Sequence, residues 1–325
     1  MKQTIKNILS NLPYIKSYFH GDAIILMLHR IAPLDNKKLP ENEKLKVDPK
    51  ALENFIIEAK NNGYNFLSLD ELYQKLIDGT FLNKKNLVIT IDDGYKDNYT
   101  YGFPIFKKYQ IPFCIYLCTG FLENPNMWWF SIEDFLLKNS SISLHTKKID
   151  ISNIKQKSEV FLNIRNEVLN KLDNLHNAKE ILNIFGIKHC EKDYKSLALT
   201  IEEIQEMCQY KGFTLGCHTH THPVFNNLSF EELRDDIKKS LNIIHETFGK
   251  TPKHFCFPFG GKGEINKTYC DFIKEFNFKT AVTTRNGTIY KTHKNYMHVL
   301  PRIFVHSDFK LKDLIKIRKK KIISY

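Results

Sequence analysis

Two groups of polar residues, far apart in the chain, carry the side chains that metal-dependent hydrolysis requires. Asp92 and Asp93 follow the apolar run at residues 87–91, and His218 and His222 stand four positions apart in the segment HTHTHP. Two neutral imidazoles and one carboxylate make a three-ligand set with an open position, as is typical of catalytic zinc. A divalent cation there would activate water and polarise a carbonyl. We therefore predict a hydrolytic metal site.

The two adjacent carboxylates need different roles. Like charges at close range would raise the pKa of one of them. A metal ion removes that conflict, because one carboxylate then binds the ion while the other stays free as a base. Taken alone, residues 86–95 fit equally well a plain strand that ends in an Asp-Gly turn.

Strand-length apolar runs alternate with amphipathic segments that begin with helix caps, which predicts a parallel α/β fold. Runs of this kind occupy residues 23–28, 66–67, 87–91, 112–117, 213–217, 255–257, 280–283 and 301–305. Caps precede helices at Asp48, Ser68, Thr200 and Ser229. In a parallel barrel the carboxyl ends of the strands share one face. The polar residues at those ends are therefore predicted to converge: His29, Asp92, Asp93, His218, His220, His222 and the segment 258–260.

Residues 120–199 interrupt this alternation. The segment begins with both tryptophans of the chain, Trp128 and Trp129, and continues as a polar, Lys- and Asn-rich stretch that we expect to be largely helical. We interpret residues 121–199 as an insertion within a barrel that spans residues 21–310. The sequence leaves two roles open for the tryptophans: stacking on sugar rings, or packing within the insertion. Residues 1–20 are predicted to be a helical extension and residues 311–325 a basic tail.

The amino-acid composition indicates which kind of partner and which cellular compartment to expect. The chain has 48 Lys and Arg against 36 Asp and Glu, a net charge of +12 that favours an anionic partner. Seven scattered cysteines, several within apolar runs, are typical of reduced, buried thiols in the cytoplasm. Neither a secretory signal nor a bilayer-spanning run is evident, so we expect a cytoplasmic protein. The apolar and basic residues of the first turns favour packing on the domain, with peripheral contact at the inner membrane face as the alternative.

Three motifs resemble those of the polysaccharide deacetylases, carbohydrate esterase family 4, which share the NodB-homology fold. Residues 90–94, TIDDG, resemble the family motif TFDDG, and HTHTHP resembles H-[ST]-x-x-H-P. Residues 257–260, FPFG, are similar to the Pro-aromatic-Gly motif of the groove wall. The resemblance covers roughly residues 20–120 and 200–310 and excludes the insertion. It implies a distorted (β/α) barrel with fewer than eight regular strands.

The resemblance also implies roles for individual residues. Asp93, His218 and His222 would bind the metal, usually zinc, with Co²⁺, Ni²⁺ or Mn²⁺ as other candidates, and His220 would point away from it. Asp92 would be the general base. The oxyanion would be stabilised by the metal and a backbone N–H near Tyr95. Pro258, Phe259 and Gly260 would contribute to the substrate groove.

Two departures from the family pattern change the assignments. The arginine that usually braces the base is absent from residues 255–257, so we predict that Arg302, grouped with the substrate-binding residues, supplies the brace. The usual Leu-x-His motif near the C-terminus is also absent, whereas LMLH ends the first strand at His29. This resembles the circularly permuted branch found in bacterial poly-N-acetylglucosamine deacetylases. First and last strands are neighbours in a closed barrel, so His29 is predicted to protonate the leaving amine; a structural core histidine is the alternative.

The leading hypothesis for function is therefore a metal-dependent enzyme that removes an N-acetyl group from an amino sugar of a glycan or glycan precursor. The basic surface suggests a lipid-phosphate-linked or nucleotide-linked substrate. Two alternatives remain open: a deformylase or other non-sugar amide hydrolase, and a non-catalytic protein that binds through its basic surface. No nucleic-acid partner is expected, because no interleaved basic and aromatic motif is present.

Overall fold

Seven parallel strands close into a barrel in the computed structural model, which describes residues 21–81, 85–144, 147–171, 178–307 and 309–316. The strands are β1 (Ile24–Leu28), β2 (Arg30–Ile31), β3 (Lys46–Val47), β4 (Asn65–Phe66), β5 (Asn86–Asp93), β6 (Phe113–Leu117), β7 (Ser141–Leu144), β8 (Lys147–Asp150), β9 (Phe213–Cys217), β10 (His254–Cys256), β11 (Thr280–Asn286) and β12 (Leu300–Phe304). The ring runs β1-β12-β11-β10-β9-β6-β5 and closes where β5 pairs with β1, while β4 adds to β5. The predicted (β/α) barrel is confirmed.

The first strand closes the ring, because it lies between the last strand and β5. Leu26 of β1 is in register with Ile303 of β12 on one side and with Ile89 of β5 on the other. Neighbouring residues of β5 belong to different apolar clusters. Ile89 packs in a cluster with residues of the surrounding helices, and Val88 packs in another cluster with residues of other strands, such as Ile25 of β1 and Val282 of β11. Both faces of the strands are thus covered, as the near-continuous apolar runs of parallel strands predict.

Helices surround the barrel and build the insertion, and four of them begin at the caps that the sequence predicts. They are α1 (Pro40–Glu43), α2 (Pro49–Asn61), α3 (Leu69–Asp78), α4 (Phe103–Tyr109), α5 (Trp128–Lys138), α6 (Ile154–Lys171), α7 (Ala178–Asn183), α8 (Ile201–Cys208), α9 (Phe230–Phe248), α10 (Lys267–Ile273) and α11 (Leu311–Lys316). The capping boxes predicted at Ser68, Thr200 and Ser229 are all formed, and Asp48 caps α2. Each cap satisfies backbone N–H groups that a helix start leaves unpaired.

The segment between β6 and β9 leaves the barrel and builds a small core of its own. Trp128 and Ile132 of α5 pack there with Phe161 and Ile164 of α6 and with residues of α7. A β7–β8 hairpin, with Ile142 opposite Ile149, lies where we expected mainly helix. The alternation of polar and apolar residues at 141–144 suits one strand of the hairpin, because a period of two is typical of a half-buried strand.

The two ends of the chain lie largely outside the described residues. The predicted helical extension at residues 1–20 and the basic run beyond residue 316 lie outside the described residues. Among the described helices, none is both long enough and apolar enough to cross a bilayer. All seven cysteines are free thiols, five of them buried, whereas Cys190 is exposed and Cys208 is partly exposed.

Candidate active site

Three side chains from two strand ends meet at the carboxyl face of the barrel. Asp93 Oδ1 lies 3.3 Å from His218 Nε2 and 3.3 Å from His222 Nε2. The ligand atoms of all three residues fall within 4.8 Å of one another. One carboxylate oxygen and two imidazole nitrogens at this separation fit the donor set of a zinc-type cation. The structure therefore brings together the three residues that were predicted to bind a metal.

The backbone around these donors is held in an uncommon conformation. Six described residues other than glycine have positive φ, and four of them are Asp93 (76°), Thr219 (66°), His222 (58°) and Phe259 (56°) at this face. Left-handed backbone at such residues costs about 1–3 kcal/mol each and persists only where the surroundings impose it. The strain is concentrated where the side chains converge, which supports a functional rather than a purely structural role.

Hydrogen bonding prepares His218 to act as a ligand. Its Nδ1 donates to the Cys256 carbonyl over 2.8 Å, which fixes the ring and directs Nε2 toward Asp93. Burial disfavours a charge on His218, but its contacts with Cys256 and Asp93 raise its pKa well above the ordinary value. A cation would have to displace that proton. Burial lowers the pKa of His222, which favours the neutral, ligating form.

A second trio, Asp92, His218 and Cys256, also lies close enough together to share an ion. Arg302 already engages two of these residues. It donates to both oxygens of Asp92 and, over 3.2 Å, to Cys256 Sγ. Burial also raises the pKa of the Cys256 thiol, which disfavours the thiolate that would bind a metal. The Asp93 trio is the better cation site.

Asp92 is held by a buried arginine from the last strand. Arg302 Nη1 and Nη2 donate to Asp92 Oδ1 and Oδ2 over 2.6 and 2.7 Å, and Arg302 Nε donates to the Thr283 carbonyl. Burial alone would raise the pKa of Asp92, but the Arg302 guanidinium holds it below the ordinary value. Arg302 therefore makes the contact with Asp92 that was predicted for a brace. It has no exposed surface, so its grouping with the substrate-binding residues is wrong.

His29 ends β1 beside this pair. Its Nε2 is 3.9 Å from Asp92 Oδ2, too long for a hydrogen bond, and its ring packs edge-on against Phe304. Its Nδ1 is buried and has no hydrogen-bond partner among the described residues. His29 also lines the cavity that contains Asp93, His218 and His222. The ring closure through β1 thus places a histidine of the first strand in the same cavity as the trio Asp93, His218 and His222.

Tyr95 follows the strained turn after Asp93. An isolated antiparallel bridge joins it to Ala198, and the two hydrogen bonds of that bridge come from Lys96 N–H and Leu199 N–H. The Tyr95 N–H is therefore not used by the bridge. The buried Tyr95 ring packs between the Arg30 guanidinium, 5.1 Å from its centroid, and the Phe130 ring.

The predicted groove residues separate into two groups. Phe259 lines the cavity and packs edge-on against His222, with ring centroids 4.7 Å apart. Pro258 and Gly260 are buried and do not line it: they form the turn, in which Gly260 N–H donates to the Pro258 carbonyl over 2.7 Å. A β-carbon on Gly260 would lie 3.0 Å from the Phe257 carbonyl oxygen, which explains the glycine. Their assignment to substrate binding is therefore corrected to shaping the turn.

The remaining predicted residues are tryptophans and a histidine. Trp128 and Trp129 both line the cavity, yet Trp128 is 3% exposed and belongs to the core of the insertion. Trp129 lies 6.5 Å from the His222 ring, so it is the better placed of the two to meet a ligand. His220 faces away from the trio, because its Nδ1 hydrogen-bonds with Thr119 Oγ1.

The cavity has two walls. The barrel wall consists of the strand-end residues. The insertion wall, which the sequence analysis did not predict, consists of α6 of the insertion together with α1 and the loop that follows it. The volume of the cavity is about 400 Å³, within the usual range for a small-ligand pocket. Besides the strand-end residues, the cavity is lined from α1 and its following loop by Glu41, Asn42, Lys44 and Leu45, and from α6 by Phe161, Leu162 and Arg165. No motif marks these residues. The only signal in the sequence is the helical period of α6, which does not show what the helix faces.

Comparison with known proteins agrees with this geometry. A sequence model of the family described as "Polysaccharide deacetylase" matches residues 81–281, more than half of the chain. The Bacillus subtilis protein named "Putative polysaccharide deacetylase YxkH" is 32% identical over 104 residues, which are 32% of this chain and 34% of that protein. The match thus spans only about a third of the length of that relative.

Solved structures share the fold at low sequence identity. The Streptococcus pyogenes deacetylase PplD, in complex with acetate, superimposes with a TM-score of 0.62 at 20% identity, over 92% of this chain and 98% of that one. IcaB from Ammonifex degensii gives a TM-score of 0.56 at 15% identity, over 91% of this chain and 95% of that one. At this identity the likeness establishes the barrel and its strand order.

Proposed function

This chain belongs to the polysaccharide deacetylase family, and from that membership and the geometry of its site we propose that it is a metal-dependent deacetylase. The reaction is hydrolysis of the N-acetyl group of an amino sugar in a glycan or glycan precursor. The observation that carries the proposal is the single cavity lined by the trio Asp93, His218 and His222 together with the buried base Asp92 and with His29.

Asp92 is the general base in this mechanism. Its carboxylate accepts a proton from the water that attacks the acetyl carbonyl carbon, and the bidentate contact with Arg302 fixes its orientation. The lowered pKa keeps Asp92 ionised at neutral pH, so it is ready to accept that proton. Arg302 is buried and acts only through Asp92, as a positioning residue.

Asp93, His218 and His222 would hold a divalent cation, for which zinc is the first candidate given this donor set. The bound ion would supply Lewis-acid chemistry, activating water and polarising the acetyl carbonyl. The Tyr95 N–H, which its bridge leaves unused, is a candidate donor to the developing oxyanion.

His29 completes the reaction by donating a proton to the sugar nitrogen as the carbon–nitrogen bond breaks. The products are acetate and a free amine, and the proton taken up by Asp92 balances the one given by His29. Its place in the cavity, with Nε2 3.9 Å from Asp92 Oδ2, supports this role, because acid and base must face the substrate together.

The place of action is part of the proposal. Seven free cysteines suit a reducing compartment, so we infer the cytoplasm, with a lipid-phosphate-linked or nucleotide-linked sugar near the inner membrane face as the candidate substrate. Fractionation of cells that produce the protein, at low and high salt, tests the location. Release by salt would support a peripheral electrostatic contact.

Acetate release from a panel of N-acetylated sugars and glycans, with and without a chelator, tests the function. We expect activity that the chelator abolishes and added zinc restores. N-formyl and non-sugar amides in the same panel separate a deformylase or a general amidase from a sugar deacetylase. Activity that persists in the double variant Asp92→Asn, His218→Ala would contradict the mechanism.

A further inference from the structure

Helix α6 of the insertion presents one face to the active-site cavity. Ser158 donates to Glu41 Oε2 over 3.0 Å, which ties this face to α1. Phe161, Leu162 and Arg165 follow at helical spacing and line the cavity. Residues three and four apart lie on the same side of a helix, so these contacts form one continuous strip. The family motifs do not include it.

Arg165 is a partly buried cation without an anionic partner. In the described part of the chain, the Arg165 guanidinium has no carboxylate oxygen within 4.0 Å, the limit of an ion pair, and it donates no hydrogen bond. Glu264 acts on it only at longer range, and burial lowers the pKa of Arg165. A guanidinium has five N–H donors, and leaving them unpaired in a partly desolvated position is costly.

The acidic groups on the same cavity are, by contrast, already engaged. Glu41 accepts from Ser158, Asp92 is bound by Arg302, and Asp93 lies between two histidines. Lys44, the other lysine or arginine on the cavity, is exposed and makes no ion pair among the described residues. The insertion wall therefore has two cations without an anionic partner among the described residues, and its one carboxylate, Glu41, accepts a hydrogen bond from Ser158.

We propose that Arg165, assisted by Lys44, binds an oxyanion of the substrate, a phosphate or a carboxylate attached next to the N-acetylated sugar. Arginine recognises both groups through paired N–H···O bonds. This inference rests on the proposed function and narrows the substrate to an anionic amino-sugar derivative. Trp129 on the same cavity supplies an aromatic surface against which the sugar ring can lie between the two ends of the site.

The test compares substrates that differ only in charge. One arm pairs N-acetylglucosamine 1-phosphate with the neutral methyl N-acetylglucosaminide, and the other pairs N-acetylmuramic acid with its methyl ester. We expect wild-type kcat/KM to favour at least one anionic member by about tenfold or more, the scale of one hydrogen bond to a charged group. The arm that shows the preference tells phosphate from carboxylate, and added NaCl should reduce it.

The variant Arg165→Met should abolish this preference, mainly by raising KM for the anionic substrate, and Arg165→Lys should retain part of it. The matched control is Arg234→Met, because Arg234 pairs with Glu275 on the surface away from the cavity. This control should keep the wild-type ratio. Thermal unfolding and metal content of each variant show whether a change reflects misfolding instead.

Equal kcat/KM for anionic and neutral substrates in the wild-type protein would overturn the inference. So would an Arg165→Met variant that loses both activities in the same proportion. If no substrate is deacetylated, calorimetric titration of the Asp92→Asn protein with the two anionic sugars decides. Binding that Arg165→Met abolishes supports the subsite although the proposed function fails, and binding that persists contradicts it.

Discussion

The two walls of the active-site cavity are built in opposite ways. On the barrel wall each charged group has a partner: Asp92 is bound by Arg302, and Asp93 by His218 and His222. On the insertion wall, Arg165 has none in the described part of the chain. The barrel wall thus pairs its own charges, whereas on the insertion wall we propose that a ligand supplies the anion.

This difference separates chemistry from selectivity. A base and metal donors must be held in fixed positions, and strand ends supported by buried hydrogen bonds achieve that. Recognition varies among members of a family, and surface segments outside the barrel can change without disturbing the catalytic groups. The comparison predicts that changes to the barrel wall alter rate or metal content, whereas changes to the insertion wall alter KM.

The largest effects are expected for substitutions of Asp92 and Asp93, and the two variants should lose different properties. Asp92→Asn removes the proposed base and none of the proposed metal ligands, so we expect kcat to fall by about 10²–10⁴-fold while bound metal is retained. Asp93→Ala removes a proposed ligand, so the variant should lose metal as well as rate. Acetate release and elemental analysis of the purified proteins measure the two quantities.

Asp271→Asn on the exposed surface of α10 is the control for the loss of a carboxylate, and it should change neither quantity. Loss of metal from Asp92→Asn would contradict the division of roles between the aspartates. It would indicate instead that both carboxylates hold the ion.

The barrel wall could be predicted from the sequence because its signals are local. The apolar run before Asp92, the capping boxes and the motif at His218 each depend on residues within a few positions of one another. Because the barrel closes, its first strand lies beside β5, so the sequence could predict that His29 shares the cavity with Asp92 and Asp93. The turn residues Pro258 and Gly260 were misassigned, because a motif does not show which of its side chains face the cavity.

The next effect tests how the barrel wall holds its base. Arg302 lowers the pKa of Asp92, so Arg302→Met should raise it. The base works only when ionised, and the acidic limb of the pH profile of kcat/KM should therefore move to higher pH. We expect a rate loss of about 10–100-fold, as for groups that orient a site. Arg302→Lys should restore only part of the rate, because lysine cannot form the bidentate contact.

An unchanged pH profile in Arg302→Met would mean that the arginine is structural only. Thermal unfolding must accompany the measurement, because the variant leaves a buried carboxylate without its partner. A fully folded variant with the shifted profile separates positioning from stability.

The insertion wall could not be predicted in the same way. Phe161 and Ile164, three positions apart, lie on one face of α6 and pack in the core of the insertion. Which groups of the barrel the neighbouring Arg165 faces depends on how the insertion docks, and docking is set by contacts distant in sequence, such as Ser158 with Glu41. The β7–β8 hairpin was missed because only its first strand, residues 141–144, alternates between polar and apolar residues, whereas its second strand, KKID, has a single apolar residue.

The smallest expected effect on rate comes from a matched pair of core substitutions, one in each region. Ile89 of β5 and Ile164 of α6 are both fully buried, and truncating either to alanine should cost about 2–5 kcal/mol of stability. Ile89→Ala loosens the strand that carries both aspartates, so we expect weaker metal binding. Ile164→Ala loosens α6, so we expect a higher KM with metal affinity retained. Metal titration, steady-state kinetics and denaturant unfolding measure the three quantities. Weaker metal binding in Ile164→Ala would show that the two walls are one mechanical unit, because strain in the insertion would then reach the donors at the strand ends.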